Sequence, residues 1–355
     1  CGIVDPRLHY SIRSYSFMDF YRCGKNRIAG KFFIQFYGTC SRYSFIVFIR
    51  KRISIKNLSG IQALKIGIQK KYARETRRDI MIFGLASSVC TLFLIATGAL
   101  YSEYAGRLAL FLDAVINLSA FLFFTFVSIS GNTVFAFFAA LAISSAVVYV
   151  SALIIEYLKA DPFVAAVALS LIIEGALSAL SVKIFGTRGI LTSANFVFSR
   201  TQVRITAAII SSALSAFLII FLKTSVKGLY FRITGTDSAV LEARGIDSSS
   251  YKCAAWVITA MCAATAGCFY AAEISSFVPN IAGGRGWLAL VLVFLGRKKP
   301  LFIAAASVFF AAAEYCASYL PNALQNIPPA LLISLPYIAA LVIISVMPRK
   351  VDGRR

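Results

Sequence analysis

The sequence predicts an all-α, polytopic integral membrane protein with about eight to ten transmembrane helices, some of them broken or re-entrant. Three observations point there. The 355 residues are 59% hydrophobic and only 14% charged, where soluble domains run nearer about 45–50% and 25%. Mean hydropathy is +0.78. Apolar runs with few or no charges recur from Met81 onward, each near the ~20 residues needed to cross ~30 Å of hydrocarbon. The same composition argues against a cytosolic enzyme, a disordered tail and a collagen-like fibre.

The elements follow in chain order. Residues 1–80 stand apart as a basic N-terminal segment of uncertain status. They hold 17 Lys+Arg against 4 Asp+Glu, a net of +13 out of the chain's +21. Residues 32–49 are apolar in places, but Lys31, Arg42 and Arg50 make them a poor hydrocarbon-core helix. The segment also lacks the apolar core and cleavage site of a signal peptide. From Met81 the pattern changes, and runs at 81–100, 108–129, 133–155, 162–182, 205–222 and 253–272 read as spans. A short apolar run at 287–296 follows, then 301–320 and 327–347, where Pro328, Pro329 and Pro336 kink or delimit the last helix. Residues 81–348 thus form one transmembrane domain, and 349–355 a basic tail. The longest polar gap, 223–252, is an aqueous loop.

Charge placement gives orientation. With 223–252 in the cytoplasm, Lys223, Lys227 and Arg232 lie inside, and so do Arg297, Lys298 and Lys299 and then Arg349, Lys350, Arg354 and Arg355. Five spans before Lys223 put residues 1–80 outside, against their +13. Either an early segment is re-entrant or the basic segment is not part of the working protein. Basic residues flanking apolar spans are what the positive-inside rule produces, so the charge does not argue for nucleic acid.

The eight cysteines, Cys1, Cys23, Cys40, Cys90, Cys253, Cys262, Cys268 and Cys316, form no C-x-x-C, and His9 is the single histidine. No metal site is expected, and the cysteines read as small buried hydrophobes. There is no phosphate-binding G-x-x-x-x-G-K-[ST] loop, G-x-S-x-G or H-E-x-x-H. Nothing supports an enzyme, and no cofactor is expected.

An ionisable group in hydrocarbon costs a few kcal/mol or more and normally faces protein or water. Asp113 and Asn117 lie four apart on one helix face. Ser170, Glu174 and Ser178 form a second stripe, and Ser211 and Ser215 a third. Glu314 sits within a span and Glu273 at the end of one. The serines read as interhelical hydrogen-bonding groups. Asp113 and Glu174 read either as path lining or as structural polar contacts. A proton-coupled secondary carrier using Asp113, Glu174 and Glu314 is the alternative from another class, weakened by the lack of two clear inverted repeats. A membrane scaffold is a third reading.

Three segments carry a family resemblance. The first runs Ser102-Glu103-Tyr104-Ala105-Gly106, then Leu110, Leu112, Asp113, Asn117 and Ala120-Phe121. The second is Phe231-Arg232 with Gly235, Asp237-Ser238-Ala239 and Ala243-Arg244-Gly245-Ile246. The third runs Ser276-Phe277-Val278-Pro279 through Gly284-Arg285-Gly286-Trp287 and Leu290 to Leu295-Gly296 and Pro300. Over about 81–348 these resemble permease subunits of ABC importers in the branched-chain amino acid/sugar/nucleoside group, closest to the nucleoside-type and riboflavin permeases. The first motif departs most from the family pattern: Tyr104 stands for Arg, Ala109 for Asn, Phe111 for Gly, Asp113 for Glu and Ala114 for Gly. In the third, Lys298 and Lys299 replace the usual Trp and polar residue.

The resemblance implies a substrate path through Asp113, Asn117, Glu174, Arg285 and Trp287. It implies a coupling helix in the loop, involving Gly235, Asp237, Ala239, Glu242, Ala243 and Gly245. Asp237 or Ser238 would cap that helix and Gly245 would end it. The implied partners are a cytoplasmic ABC ATPase, a second permease subunit, identical or homologous, an extracytoplasmic substrate-binding lipoprotein and membrane lipid. The implied place is the bacterial cytoplasmic (inner) membrane, and the implied solute is nucleoside-like or riboflavin-like.

Overall fold

A computed structural model describes residues 58–323 together with Ser334, Tyr337, Ile338 and Val342. Side chains are described from Met81 to Ala317 and at those four positions. Most of the basic segment, most of the expected span 327–347 with Pro328, Pro329 and Pro336, and the tail 349–355 lie outside the described residues. The chain divides into two compact units, Cys1–Tyr72 and Ala73–Arg355, and apart from the first residues of the first helix everything below belongs to the second.

The described helices are α1 (Leu58–Tyr104), α2 (Leu112–Ser130), α3 (Thr133–Leu158), α4 (Pro162–Phe185), α5 (Arg200–Thr224), α6 (Val226–Thr234), α7 (Ser238–Glu242), α8 (Ser248–Ile274), α9 (Arg285–Leu295) and α10 (Pro300–Ala323). No strand occurs among the described residues, and an isolated antiparallel bridge joins Leu191 to Phe277. Among the described residues, seven segments are long and apolar enough to cross a membrane: Met81–Tyr104 of α1, then α2, α3, α4, α5, α8 and Pro300–Ala317 of α10. The all-α polytopic fold is therefore as expected. At 11 residues, α9 rises only ~16 Å, about half a bilayer core.

Local chemistry sets the ends. Asn132 Oδ1 accepts from the backbone N–H of Val134 and Phe135 to start α3. Asp161 does the same for α4, ahead of Pro162 at its first turn, a position where a missing N–H costs nothing. Asp237 caps α7 and Asp247 caps α8. One expected span shifts: α2 begins at Leu112 rather than near 108. Residues 105–111 instead turn out of α1, with the N–H of Arg107 donating 3.0 Å to the Ser102 carbonyl.

The core is the pair α2 and α8. In each, 72% of the apolar window is buried, against 22% in α4 and 28% in α3, α5 and α10. Close approach comes from Gly267 on α8, where a Cβ would lie 2.2 Å from Ser119 Oγ and 2.3 Å from the Ile116 carbonyl of α2. Small residues permit such contacts where lipid supplies no hydrophobic drive between helices. Two of the stripe serines, Ser170 and Ser215, are a correction. Ser170 Oγ donates to Val167 O and Ser215 Oγ to Ser211 O, each within its own helix. A short hydroxyl at helical pitch meets the preceding turn's carbonyl before it reaches a neighbouring helix.

The two ends of the bundle differ. At one end gather Tyr104, Gly106, Glu156, the loop with α6 and α7, and Lys298. The other holds an aromatic plug in which Phe121, Phe123, Phe124, Phe185, Phe196, Phe198 and Phe277 meet at centroid separations of 5.0–6.2 Å. Such contacts add roughly 0.5–1.5 kcal/mol per pair beyond burial.

Candidate functional site

Between these ends α9 begins, and α2 holds its start. Gly284 precedes α9 and offers no side-chain cap, so the helix's first N–H groups need acceptors from elsewhere. Asp113 Oδ1 accepts from the Gly286 N–H at 2.8 Å. One turn on, Asn117 Oδ1 accepts from the Ala282 N–H at 2.9 Å, and its Nδ2 donates to Glu174 Oε1 on α4 at 2.6 Å. A carboxylate at a helix N-terminus is also favoured by the helix dipole. Contact is close: a Cβ on Gly286 would stand 2.7 Å from the Asp113 nitrogen. The third motif therefore docks directly on the first. Tyr337 OH donates to Gly283 O at 2.7 Å and closes the turn from the other side.

Arg285 turns from this face towards α10. Its guanidinium contacts Glu314 Oε1 at 2.6–2.7 Å and lies 4.5 Å from the centre of the Tyr270 ring. Nearby, Arg204 of α5 pairs with Glu273 of α8 at 2.7 Å. Both pairs line one cavity of about 220 Å³, shared with Gly84, Ser88, Ala311 and Tyr315. At ~30 Å³ per water, that space holds about seven waters or a small polar group. A larger opening of about 680 Å³ lies between α3 and α8, lined by residues such as Tyr149, Leu153 and Ile258, and contains none of the candidate path residues.

The structure thus brings Asp113, Asn117, Glu174 and Arg285 around the start of α9. Trp287 is not brought with them. It is 52% exposed on the outer face of α9, because the ~100° step per residue from buried Gly286 rotates it away. Sequence reasoning missed Arg204 as the partner of Glu273. It also missed Arg107, which is 7% exposed, bonded to Glu156 of α3 and 5.8 Å from the Trp256 ring. The available signal was that each lone Arg near a span end had an acid near the end of another span. Desolvation lowers the pKa of the buried Arg107 guanidinium, which is why it needs Glu156.

The loop is built as a small platform. Its anchors are Phe231 and Leu241, both buried, with Phe231 edge-on to Tyr101 at 5.5 Å. Asp237 Oδ1 accepts from Ala239 N at 3.1 Å, which selects Asp237 over Ser238 as the cap of α7. Gly245 follows with φ +74°, a conformation that non-glycine residues rarely adopt. Gly235, Asp237, Ala239, Glu242, Ala243 and Gly245 are exposed, while Glu242 Oε1 also accepts from Ser248 Oγ at 2.9 Å. Gly235 rests on the end of α1, where a Cβ would be 2.1 Å from Tyr104 O and 2.6 Å from Gly106 N. The second motif thus packs on the first as well. Among the described residues no group of three metal-ligating side chains gathers.

A search of curated proteins gives no match. Among solved structures the chain is similar to "PsaBC from Streptococcus pneumoniae in complex with Fab", at 14% identity and TM-score 0.49, covering 75% of this chain and 91% of that one. The family described as "Branched-chain amino acid transport system / permease component" matches residues 81–346. The chain is a multi-pass membrane protein that belongs to this family of ABC importer permeases.

Proposed function

We propose that the chain is the non-catalytic translocation subunit of an importer in the bacterial cytoplasmic (inner) membrane, and that its solute is nucleoside-like or riboflavin-like. A separate cytoplasmic ATPase drives it, a second permease subunit completes the path, and an extracytoplasmic lipoprotein delivers the solute. The carrying observation is the half-depth helix α9, held at its start by Asp113 and Asn117 beside a charge-lined cavity. Broken helices with polar groups at their ends are how membrane proteins build solute sites inside hydrocarbon.

The charges there favour an uncharged, hydrogen-bonding solute. Arg285 is matched by Glu314 and Arg204 by Glu273, while Asp113 and Glu174 accept from Gly286 and Asn117. A solute therefore meets donors and acceptors rather than one dominant unpaired charge. The same engagement speaks against a proton-coupled carrier built on Asp113, Glu174 and Glu314, since a proton site needs a carboxylate that can give up its partner. The exposed α7 platform supports ATPase docking, because a moving partner needs a rigid contact to push.

Reconstituted uptake tests the proposal. Nucleoside or riboflavin uptake into proteoliposomes should require the ATPase subunit and the binding lipoprotein. A proton gradient alone driving uptake would defeat it. Gly245→Pro, incompatible with φ +74°, and Glu242→Arg should each leave membrane insertion intact while separating ATP hydrolysis from uptake. Normal transport by both would remove the loop from this role.

A further inference from the structure

We infer that residues 106–112 are a rigid link carrying displacement of the 225–247 loop to the start of α9, with Gly106 and Arg107 as its positioning residues. The inference rests on the coupling role proposed for the loop. At one end of the link, Gly106 and Gly235 meet backbone to backbone, and a Cβ on Gly106 would lie 3.1 Å from Gly235 Cα. The Arg232 guanidinium lies 5.9 Å from the Tyr104 ring beside them. At the other end, one residue beyond Leu112, Asp113 holds the Gly286 N–H. Six peptide steps separate the loop contact from the start of α2, a span of at most ~20 Å.

Nothing in between offers slack. Ala109 and Phe111 are fully buried, and Phe111 meets Trp256 edge-on at 4.8 Å. The Arg107 carbonyl accepts from Ser102 Oγ, and its guanidinium bonds Glu156. A packed segment transmits a shift because cores are bistable rather than continuously deformable. Arg107 Nη1 and Trp256 Nε1 are buried donors with no protein partner in this arrangement. Gly106, at φ +75°, sets the angle at which the link leaves α1.

Spatial continuity alone does not establish transmission, so the test measures coupling. The assembled transporter in proteoliposomes is assayed for solute moved per ATP hydrolysed, with nucleoside or riboflavin as probe. Gly106→Ala and Arg107→Gln should each lower that ratio at least fivefold in whatever complex assembles, with the hydrolysis rate and the KM for solute nearly unchanged. Arg107→Lys should recover at least half of the ratio. Gly106→Ala combined with Asp113→Asn should lose no more than the worse single variant, as two ends of one link require. An unchanged ratio in Gly106→Ala overturns the inference, even if Arg107→Gln fails to assemble. Multiplicative losses in the double variant overturn it too. Uptake by the unaltered chain without any ATPase refutes the ATPase-driven importer reading itself, whereas ATPase-dependent uptake with unchanged ratios refutes only the link.

Discussion

The α2–α8 pair and the outer helices α4 and α5 are built from similar residues for opposite surroundings. All four are apolar enough to cross a membrane, with window hydropathies of 1.5–2.4. Yet α8, the least hydropathic of the seven spans at 1.5, is among the most buried, and α5, the highest at 2.4, is among the least. Of these four helices, the buried pair is the less hydropathic. The central pair is held by small residues and hydrogen bonds: Gly267 against α2, Thr259 Oγ1 donating to Gly98 O at 2.7 Å, and Asn117 bridging two elements. The outer helices turn Leu171, Ile172, Ile209 and Phe217 outward. Association in a bilayer depends on fit and polar contacts, because burying another leucine gains little over lipid.

Substitutions can break or sharpen that contrast. The largest effect is expected at paired glycines. Gly267→Leu drives a side chain into Ser119 and Ile116 and should abolish folded protein, whereas Gly175→Leu on α4, with nothing within 4 Å, should shift stability by less than about 0.5 kcal/mol. Size-exclusion profiles of detergent-solubilised protein distinguish the two, and equal profiles would end the comparison. Next come aromatics. Phe124→Ala, fully buried in the plug, should cost about 3–5 kcal/mol, and Phe217→Ala, 63% exposed, only a few tenths. Reversible unfolding in mixed micelles reads that difference.

A smaller effect is expected for polar groups. Asn117→Ala strands the Ala282 N–H and Glu174 and should cost about 1–3 kcal/mol, with uptake falling at least tenfold. Ser215→Ala, which loses a bond within its own helix, should be near neutral on both readouts. The smallest lies outside the bilayer. Hydrogen bonds from Ser250 Oγ and Ser249 N hold the Asp247 carboxyl below the usual carboxylate range. Its contribution is therefore present above the unfolded value of about 3.9 and is lost as pH falls through the lower folded value. The stability gap between wild type and Asp247→Asn should shrink from pH 7 to pH 3, and a constant gap would deny the carboxylate that role.

The spans were legible in the sequence because length and apolarity are local properties. So was the capped helix in the loop, since Asp237 and Gly245 act on their own neighbours. The pairing of Asp113 with Asn117 followed from helical pitch. What could not be read was rotation and partnership. Trp287 belongs to the same motif as Arg285, yet one step on from buried Gly286 its side chain is turned to the exposed face. The Arg204–Glu273 and Arg107–Glu156 pairs join residues 69 and 49 apart in sequence, and no local pattern encodes which span meets which. Ser170 and Ser215 misled because a hydroxyl in a helix can reach a carbonyl of its own preceding turn.

The half-depth helix has a consequence for how the protein is made. Eleven residues beginning with Arg285 are too few to partition into the bilayer as a span, and the start of α9 needs acceptors that α2 supplies from 173 residues upstream. By the time Arg285–Leu295 leaves the ribosome, α2 is already in the membrane. The order of synthesis therefore delivers the receptor before the segment that must dock into it. A chain permuted so that α9 emerged first would present an uncapped helix end to lipid, and membrane quality control would meet it before its partner did.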